Sequence, residues 1–197
     1  MTAERQIVIV LGMTGMGKSE WTRQYTASTP RLFVADPLAS YPVQWVSHEE
    51  LISAYDAGQF SNGKNFRTGT YQREDIELSG ALAFLSGDNC MVIEECSTVF
   101  EPGARALPSW ANDMVFLGRH RRCSLVFTAQ RAASIPIAVR SQAHRVVTFK
   151  QHEGDDLKWL RPYLGERIND LPHLGDHVCL DSSGSDVSEY SLTLKKS

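Results

Sequence analysis

Eight residues near the N-terminus have the types and spacing of a loop that binds phosphate. They follow a predicted strand, residues 6–11, precede a helical pattern over residues 18–27, and match the motif G-x-x-x-x-G-K-[ST]. Glycines allow the tight turns that aim backbone N–H groups at phosphate oxygens, and the start of a helix adds partial positive charge. The spacing therefore predicts a nucleotide-binding loop. It consists of Gly12, Met13, Thr14, Gly15, Met16, Gly17, Lys18 and Ser19.

The last two residues of this loop carry the side chains that the chemistry needs. The Lys18 ammonium would neutralise the β- and γ-phosphates of ATP, and the Ser19 hydroxyl would be a ligand of Mg²⁺. ATP and Mg²⁺ are therefore the expected ligands.

Two adjacent acids follow a second apolar run. Residues 90–93 have the character of a buried strand, and Glu94 and Glu95 come directly after it, at the strand end where ligands bind in parallel sheets. Because neighbouring strand residues point to opposite faces, we expect the two acids to have different tasks. Glu94 is assigned to the Mg²⁺ shell with Ser19, and Glu95 to the general base or positioner of an attacking water.

Residues 114–152 contain no acid but seven basic side chains, which suggests that this positive charge is directed at phosphate. Arg119 and Arg122 follow a predicted helix, so they either complement its C-terminus or act as an arginine finger on a nucleotide held by a neighbouring subunit. Gln130 follows a predicted strand and is either a solvated strand end or a sensor amide beside the γ-phosphate. The seven are Arg119, Arg121, Arg122, Arg131, Arg140, Arg145 and Lys150.

The composition is that of an ordinary globular protein. The chain has 197 residues, 42% of them hydrophobic, and a net charge of −3, which excludes intrinsic disorder and a strongly basic nucleic-acid coat protein. Its four cysteines form no Cys-x-x-Cys pair and are expected to be buried and reduced. The apolar runs are too short to span a bilayer, so we expect no transmembrane segment and no signal peptide.

Strand-like and helix-like segments alternate, which predicts an α/β fold with a mainly parallel sheet covered on both faces. We expect one P-loop ATPase domain over residues 1–197, with a core at 5–150 and a C-terminal helical segment and β-hairpin at 151–197. The expected strands are 6–11, 32–35, 65–68, 90–93, 123–128, 145–149 and the hairpin 177–180 with 188–194; the expected helices are 18–27, 47–57, 74–85, 109–117, a short one from Pro136, and 155–164.

These segments resemble the FtsK/HerA superfamily of DNA-pumping ATPases, above all the genome-packaging ATPases of tailless, internal-membrane viruses with double-jelly-roll capsids. The resemblance covers residues 5–20 and 88–150. It is carried by the loop at 12–19, by Val92-Ile93-Glu94-Glu95, by Gly118-Arg119-His120-Arg121, by the run 124–131 ending in Thr128-Ala129-Gln130-Arg131, by Ile135-Pro136, by Arg140 and by 146–149.

The resemblance implies a RecA-like (ASCE-type) three-layer fold in which the strand before Gln130 lies between the loop strand and the Glu94 strand. It further implies a homo-oligomeric ring, a hexamer or a pentamer, that hydrolyses ATP and translocates double-stranded DNA, the viral genome, into a preformed capsid. Arg119 would be the arginine finger that acts in trans on the ATP of a neighbouring subunit, and Arg122 would be the alternative candidate. Capsid-vertex or membrane proteins would be further partners, and the packaging vertex of the virion and the host cytoplasm the location.

One departure concerns the first acid, which is usually Asp in that family and here is Glu94, one methylene longer. This leaves the division of roles between Glu94 and Glu95 less distinct. Residues 61–70 and 101–106 are candidates for the loop that contacts DNA.

Two other enzymes and one non-enzyme remain as alternatives. A filamentous-phage assembly ATPase resembling the zonular occludens toxin family would usually carry a transmembrane segment after its ATPase domain. A small P-loop metabolite kinase would have a basic lid and act as a monomer. A nucleotide-binding adaptor that does not hydrolyse would have no use for the two acids.

Overall fold

The computed structural model of the chain describes residues 5–101, 106–184 and 186–193. Within them, the strands form a single open sheet whose order is β3-β4-β2-β5-β6-β1-β7-β8-β9. Strands β1 to β7 are parallel, and β8 and β9 join the edge as an antiparallel hairpin. The strands are β1 (Ile7–Leu11), β2 (Arg31–Ala35), β3 (Gln44–Trp45), β4 (Phe66–Thr70), β5 (Cys90–Ile93), β6 (Ser124–Ala129), β7 (Arg145–Thr148), β8 (Val178–Ser183) and β9 (Asp186–Ser191).

Helices cover both faces of the sheet. The α-helices are α1 (Lys18–Tyr25), α2 (His48–Asp56), α3 (Arg73–Ser86), α4 (Cys96–Val99), α5 (Ser109–Asn112), α6 (Ile137–Arg140) and α7 (Gly154–Leu164). Short 3₁₀ turns lie at Gly118–Arg121, Ala132–Ser134, Gly165–Asn169 and Leu171–His173. The fold is thus the predicted three-layer α/β arrangement with a C-terminal hairpin.

Successive side chains of the central strands point to opposite faces of the sheet and so belong to two separate hydrophobic cores. Ile7 and Ile9 of β1 pack with α3, α5 and α7 on one face, whereas Val8 and Val10 pack with Trp21 of α1 on the other. Because both faces are covered, these strands are continuous apolar runs, which is why the sequence predicts them well.

The strand order brings the candidate site together. Strand β6 lies between β1 and β5, and the ends of the three strands are in register, with Leu11 opposite Ala129 and Ile93 opposite Phe127. The predicted position of the strand before Gln130 is therefore confirmed. The segments that follow β1, β5 and β6 all emerge at this edge, called the C-terminal edge below.

The helix expected at 109–117 is α-helical only at first. After α5 it continues as a π-helix, Asp113–Leu117. The Arg5 guanidinium donates hydrogen bonds of 2.9 and 2.7 Å to the carbonyls of Met114 and Val115, which lie in the last turn, where carbonyls have no partner within the helix. A side chain from the N-terminal segment thus caps the C-terminal end of this helix.

Strand β3 and the start of helix α2 can also be compared with the sequence expectation. Strand β3 was not predicted, because it has only two residues and pairs with Thr68 and Gly69 alone. The capping box at the start of α2 is present: Glu50 N–H donates to Ser47 Oγ at 3.3 Å, and Ser47 N–H donates to the Glu50 carboxylate at 2.7 Å.

Of the suggested DNA-contacting loop at 101–106, residues 102–105 lie outside the described residues.

Candidate nucleotide site

The predicted phosphate loop connects β1 to α1 at the C-terminal edge. Gly17 has a φ of 108°, in the left-handed region that favours glycine, and a Cβ there would come within 2.8 Å of Leu192. A Cβ on Gly12 would lie 2.6 Å from Phe149 Cβ. The two glycines that frame the loop are therefore required by backbone conformation and by close packing.

Lys18 lies across this loop. Its Nζ donates hydrogen bonds to the carbonyls of Gly12 at 2.8 Å and Met13 at 3.2 Å. Burial lowers the pKa of the ammonium, and the charges of Glu95 and Glu94 partly offset that effect. The cation is thus held inside the loop with only carbonyl dipoles as direct partners, a position suited to receiving phosphate oxygens.

Ser19 and Glu94 meet as the sequence predicts. The Ser19 hydroxyl donates a hydrogen bond to Glu94 Oε1, and the Glu94 side chain is buried, with the residue only 6% exposed. Burial raises the pKa of Glu94, while the hydrogen bonds from Ser19 and from Tyr41 lower it. Because Ser19 belongs to the phosphate loop and Glu94 follows β5, this contact joins the two halves of the predicted site.

The side-chain oxygen atoms at this contact are of the kind that Mg²⁺ takes as ligands. Mg²⁺ prefers hard oxygen ligands and is usually bound through one or two carboxylates together with phosphate oxygens and water. A hydroxyl and a carboxylate, Ser19 and Glu94, lie side by side at the mouth of the loop. The described residues contain no cluster of three or more His, Cys, Asp or Glu side chains suited to a metal, so any metal held here would need ligands from the nucleotide and water.

Glu95 turns away from Glu94 because the chain leaves the strand at this residue. Its φ of 51° is left-handed, which is uncommon outside glycine, and its backbone N–H donates to Thr128 Oγ1 at 2.8 Å. The carboxylate accepts hydrogen bonds from Ser97 Oγ at 2.9 Å and from Gln130 Nε2 at 3.4 Å. The two acids thus have separate surroundings, and the partly exposed Glu95 carboxylate lies beside the Gln130 amide.

The segment after β6 is tied to helix α7. Arg131 Nε contacts Asp156 Oδ2 at 2.5 Å, and the Ala132 N–H donates to Asp156 Oδ1 at 2.9 Å. Gln151 Nε2 donates to the Gln130 carbonyl at 2.8 Å. These contacts fix the backbone at Gln130 and leave its side chain exposed toward Glu95.

Arg119 and Arg122 do not join this group. They precede β6 and so lie at the opposite edge of the sheet, about 20 Å away along a six-residue strand. Arg122 Nε contacts Asp88 Oδ1 at 3.1 Å. Arg119 is exposed, and its contact within the described residues is with His120 at 3.3 Å. Neither arginine can reach the phosphate loop of its own chain.

Two side chains near the acids were not predicted. Asp36 directly follows β2 at the same edge, and an acid placed directly after an apolar strand is the signal in the sequence that marks it. Tyr41 donates a hydrogen bond of 2.9 Å to Glu94 Oε2. It lies in an irregular loop, so no periodicity or motif marks it.

Within the described residues, no helix has both the length and the apolar composition needed to cross a lipid bilayer.

The chain matches no known protein-family model and no curated protein.

Several solved structures share the fold of this chain. The genome packaging NTPase B204 from Sulfolobus turreted icosahedral virus 2, in complex with AMPPCP, has a TM-score of 0.75 at 18% identity, covering 96% of this chain and 98% of that one. VirB4 of Thermoanaerobacter pseudethanolicus has a TM-score of 0.63 at 11% identity, covering 96% and 90%. The N-terminal domain of zonular occludens toxin from Neisseria meningitidis has a TM-score of 0.57 at 12% identity, covering 98% and 96%.

These structures share the mainly parallel α/β architecture described above, and their identities are low enough that the likeness concerns the fold. The α/β fold that the sequence predicts is thereby confirmed, and this chain has the same fold as these solved structures.

Proposed function

We propose that this chain is a Mg²⁺-dependent ATPase that drives double-stranded DNA, a viral genome, into a preformed capsid. The observation that carries the proposal is the hydrogen bond between Ser19 and Glu94, which joins the phosphate loop to the acidic end of β5. A phosphate loop without a carboxylate at its mouth could bind a nucleotide; the added acid pair supplies what hydrolysis needs.

Each residue of the site has a task in this proposal. The backbone N–H groups of residues 12–19 and the Lys18 ammonium hold the phosphates, and Lys18 exchanges its loop carbonyls for phosphate oxygens. Ser19 and Glu94 would hold Mg²⁺, which when bound would neutralise charge on the phosphates. Glu95 accepts the proton of the attacking water, and Gln130, 3.4 Å from Glu95, orients that water.

Lys18 is the cation that the phosphate loop itself holds, and a ring would allow a neighbouring subunit to add a second one at the γ-phosphate. Arg119 is exposed at the far edge, and no carboxylate pairs with it among the described residues. In a ring, a hexamer or a pentamer, that edge of one subunit would approach the nucleotide of the next, so Arg119 would act in trans. Arg122 is the second candidate for this role, because it already forms an ion pair with Asp88.

The viral assignment is supported by the sequence resemblance and by the fold shared with the genome packaging NTPase B204. On this proposal the protein acts at the packaging vertex of the virion and in the host cytoplasm, with capsid-vertex or membrane proteins as partners. The zonular occludens toxin domain has the same fold at a TM-score of 0.57, which keeps a filamentous-phage assembly ATPase as the second candidate.

ATP turnover by the full chain, measured with and without long double-stranded DNA, tests the proposal. We expect turnover that DNA stimulates and that Glu95→Gln abolishes. Glu77→Gln, which makes the same change on the exposed face of α3, is the control and should leave turnover unchanged. Turnover that DNA does not stimulate and that Glu95→Gln does not reduce would contradict the assignment. Transfer of phosphate to a small acceptor would indicate a kinase.

A further inference from the structure

A short buried turn follows β2 beside the acid pair. Asp36 is fully buried at the C-terminal edge, and its carboxylate accepts hydrogen bonds from the Leu38 N–H at 2.9 Å, the Ser40 N–H at 2.7 Å and the Ser40 hydroxyl at 2.8 Å. A carboxylate that accepts from three groups of the next four residues fixes the path of this turn. The turn ends at Tyr41, whose position is therefore set by the backbone.

Tyr41 is buried between helix α1 and the sheet. It is 3% exposed and belongs to the apolar core that contains Trp21 and Val10, and the Arg23 guanidinium lies 5.8 Å from the centre of its ring. Its hydroxyl donates a hydrogen bond of 2.9 Å to Glu94 Oε2. The packed ring thus brings one polar atom to the acid and leaves the hydroxyl little freedom to move.

The two oxygens of Glu94 have different partners. Oε1 accepts from the Ser19 hydroxyl, and Oε2 accepts from the Tyr41 hydroxyl. Glutamate has one more rotatable bond than aspartate, so holding its carboxylate in a single orientation costs more side-chain entropy. A second, rigid donor offsets that cost and also compensates for removing the carboxylate from water.

We propose that Tyr41 is a positioning residue that holds the Glu94 carboxylate in the orientation in which Oε1 faces Ser19 and the metal. The inference rests on the proposed function, since that is where Glu94 receives its role. In this role Tyr41 acts through Glu94, to which its hydroxyl donates, and is not itself a ligand of the metal.

Tyr41→Phe keeps the ring and removes only the hydroxyl, so it tests this role in the full chain. We expect the Mn²⁺ concentration that half-saturates the ADP-bound protein, measured by electron paramagnetic resonance, to rise about tenfold, as loss of one hydrogen bond to a charged group implies. Mn²⁺ takes the same oxygen ligands as Mg²⁺. ADP affinity without metal and the melting temperature should stay close to the wild-type values.

Tyr25→Phe is the matched control. The Tyr25 hydroxyl donates to Gln6 Oε1 at 3.1 Å, at the opposite edge of the sheet, so the same chemical change there should leave Mn²⁺ binding unaltered. A double-mutant cycle with Glu94→Asp adds a second check, because a shorter acid withdraws from Tyr41. Tyr41→Phe should then have little further effect.

The outcomes separate the two proposals. Unchanged Mn²⁺ binding in Tyr41→Phe, or a tenfold effect that persists undiminished in the Glu94→Asp background, would overturn the role of Tyr41. Equal loss of Mn²⁺ binding and of metal-free ADP binding would overturn it too, since Tyr41 would then support the fold as a whole. If the wild-type protein with ADP bound no Mn²⁺, the proposed function itself would fail.

Discussion

Ser19 and Glu94 are 75 residues apart in the sequence, yet the Ser19 hydroxyl donates a hydrogen bond to the Glu94 carboxylate. Neighbouring parallel strands end at a common edge, so the loop after β1 and the residue after β5 meet across the end of β6. The contact is the point at which nucleotide binding and hydrolysis would be linked.

The first prediction concerns Lys18. Lys18→Ala removes the cation that the loop holds for phosphate, so the affinity for ATP should fall at least about 100-fold, as loss of two charge-assisted hydrogen bonds to phosphate oxygens implies. Equilibrium binding of a fluorescent ATP analogue measures this. Lys158→Ala, on the exposed side of α7, should bind ATP normally. Normal binding by Lys18→Ala would mean that the phosphates lie elsewhere.

The second prediction concerns action between subunits. Arg119→Ala should reduce ATP turnover roughly a thousandfold, the effect expected of a lost arginine finger, while ATP affinity changes less than about twofold. Because Lys18→Ala subunits retain Arg119 and Arg119→Ala subunits retain Lys18, a mixture of the two variants should recover turnover. A mixture as inactive as its components would rule out the trans role, and loss of ATP binding by Arg119→Ala would instead indicate a role in folding.

A third prediction compares two adjacent acids of α7. Asp156 is 1% exposed and holds both Arg131 and the Ala132 N–H, so Asp156→Ala should lower the free energy of unfolding by about 3 kcal/mol. Asp155 is exposed and pairs with the exposed Lys158, so Asp155→Ala should cost less than about 0.5 kcal/mol. Urea denaturation gives both values. Similar losses at the two positions would show that the contact with Asp156 does not hold the segment after β6.

A fourth prediction concerns the thiols. Burial raises the pKa of Cys90 to about 12 and that of Cys123 to about 11, so neither forms much thiolate at pH 8, and thiolate is the reactive species. The native protein should therefore react slowly with a disulfide reagent at pH 8, and all four thiols should react once guanidinium unfolds it. Rapid reaction of the native protein would mean that the core around β5 and β6 opens readily.

The sequence predicts the central strands and the loop because both have strong local signals. Strands β1, β5 and β6 are apolar runs buried on both faces, and the glycines and lysine of the loop follow a fixed motif. Sequence reasoning also paired Ser19 with Glu94, since a phosphate loop calls for a carboxylate at the end of a neighbouring strand.

Other features depend on contacts that no local pattern encodes. Tyr41 meets Glu94 although the two residues are 53 positions apart in the sequence. The end of the π-helix after α5 is capped by Arg5, more than 100 residues earlier in the chain. The left-handed backbone at Glu95 depends on Thr128 of β6, which accepts its N–H. In each case the determining partner is distant in sequence, so only the folded chain reveals it.

A crystal structure of the full chain grown with a non-hydrolysable ATP analogue and Mg²⁺ tests the central claim most directly. It should contain the triphosphate on residues 12–19, the metal between the phosphates and the Ser19–Glu94 pair, and the Glu95 carboxylate facing a water in line with the γ-phosphate. A nucleotide bound at another edge of the sheet, or a metal bound without either Ser19 or Glu94, would contradict the account.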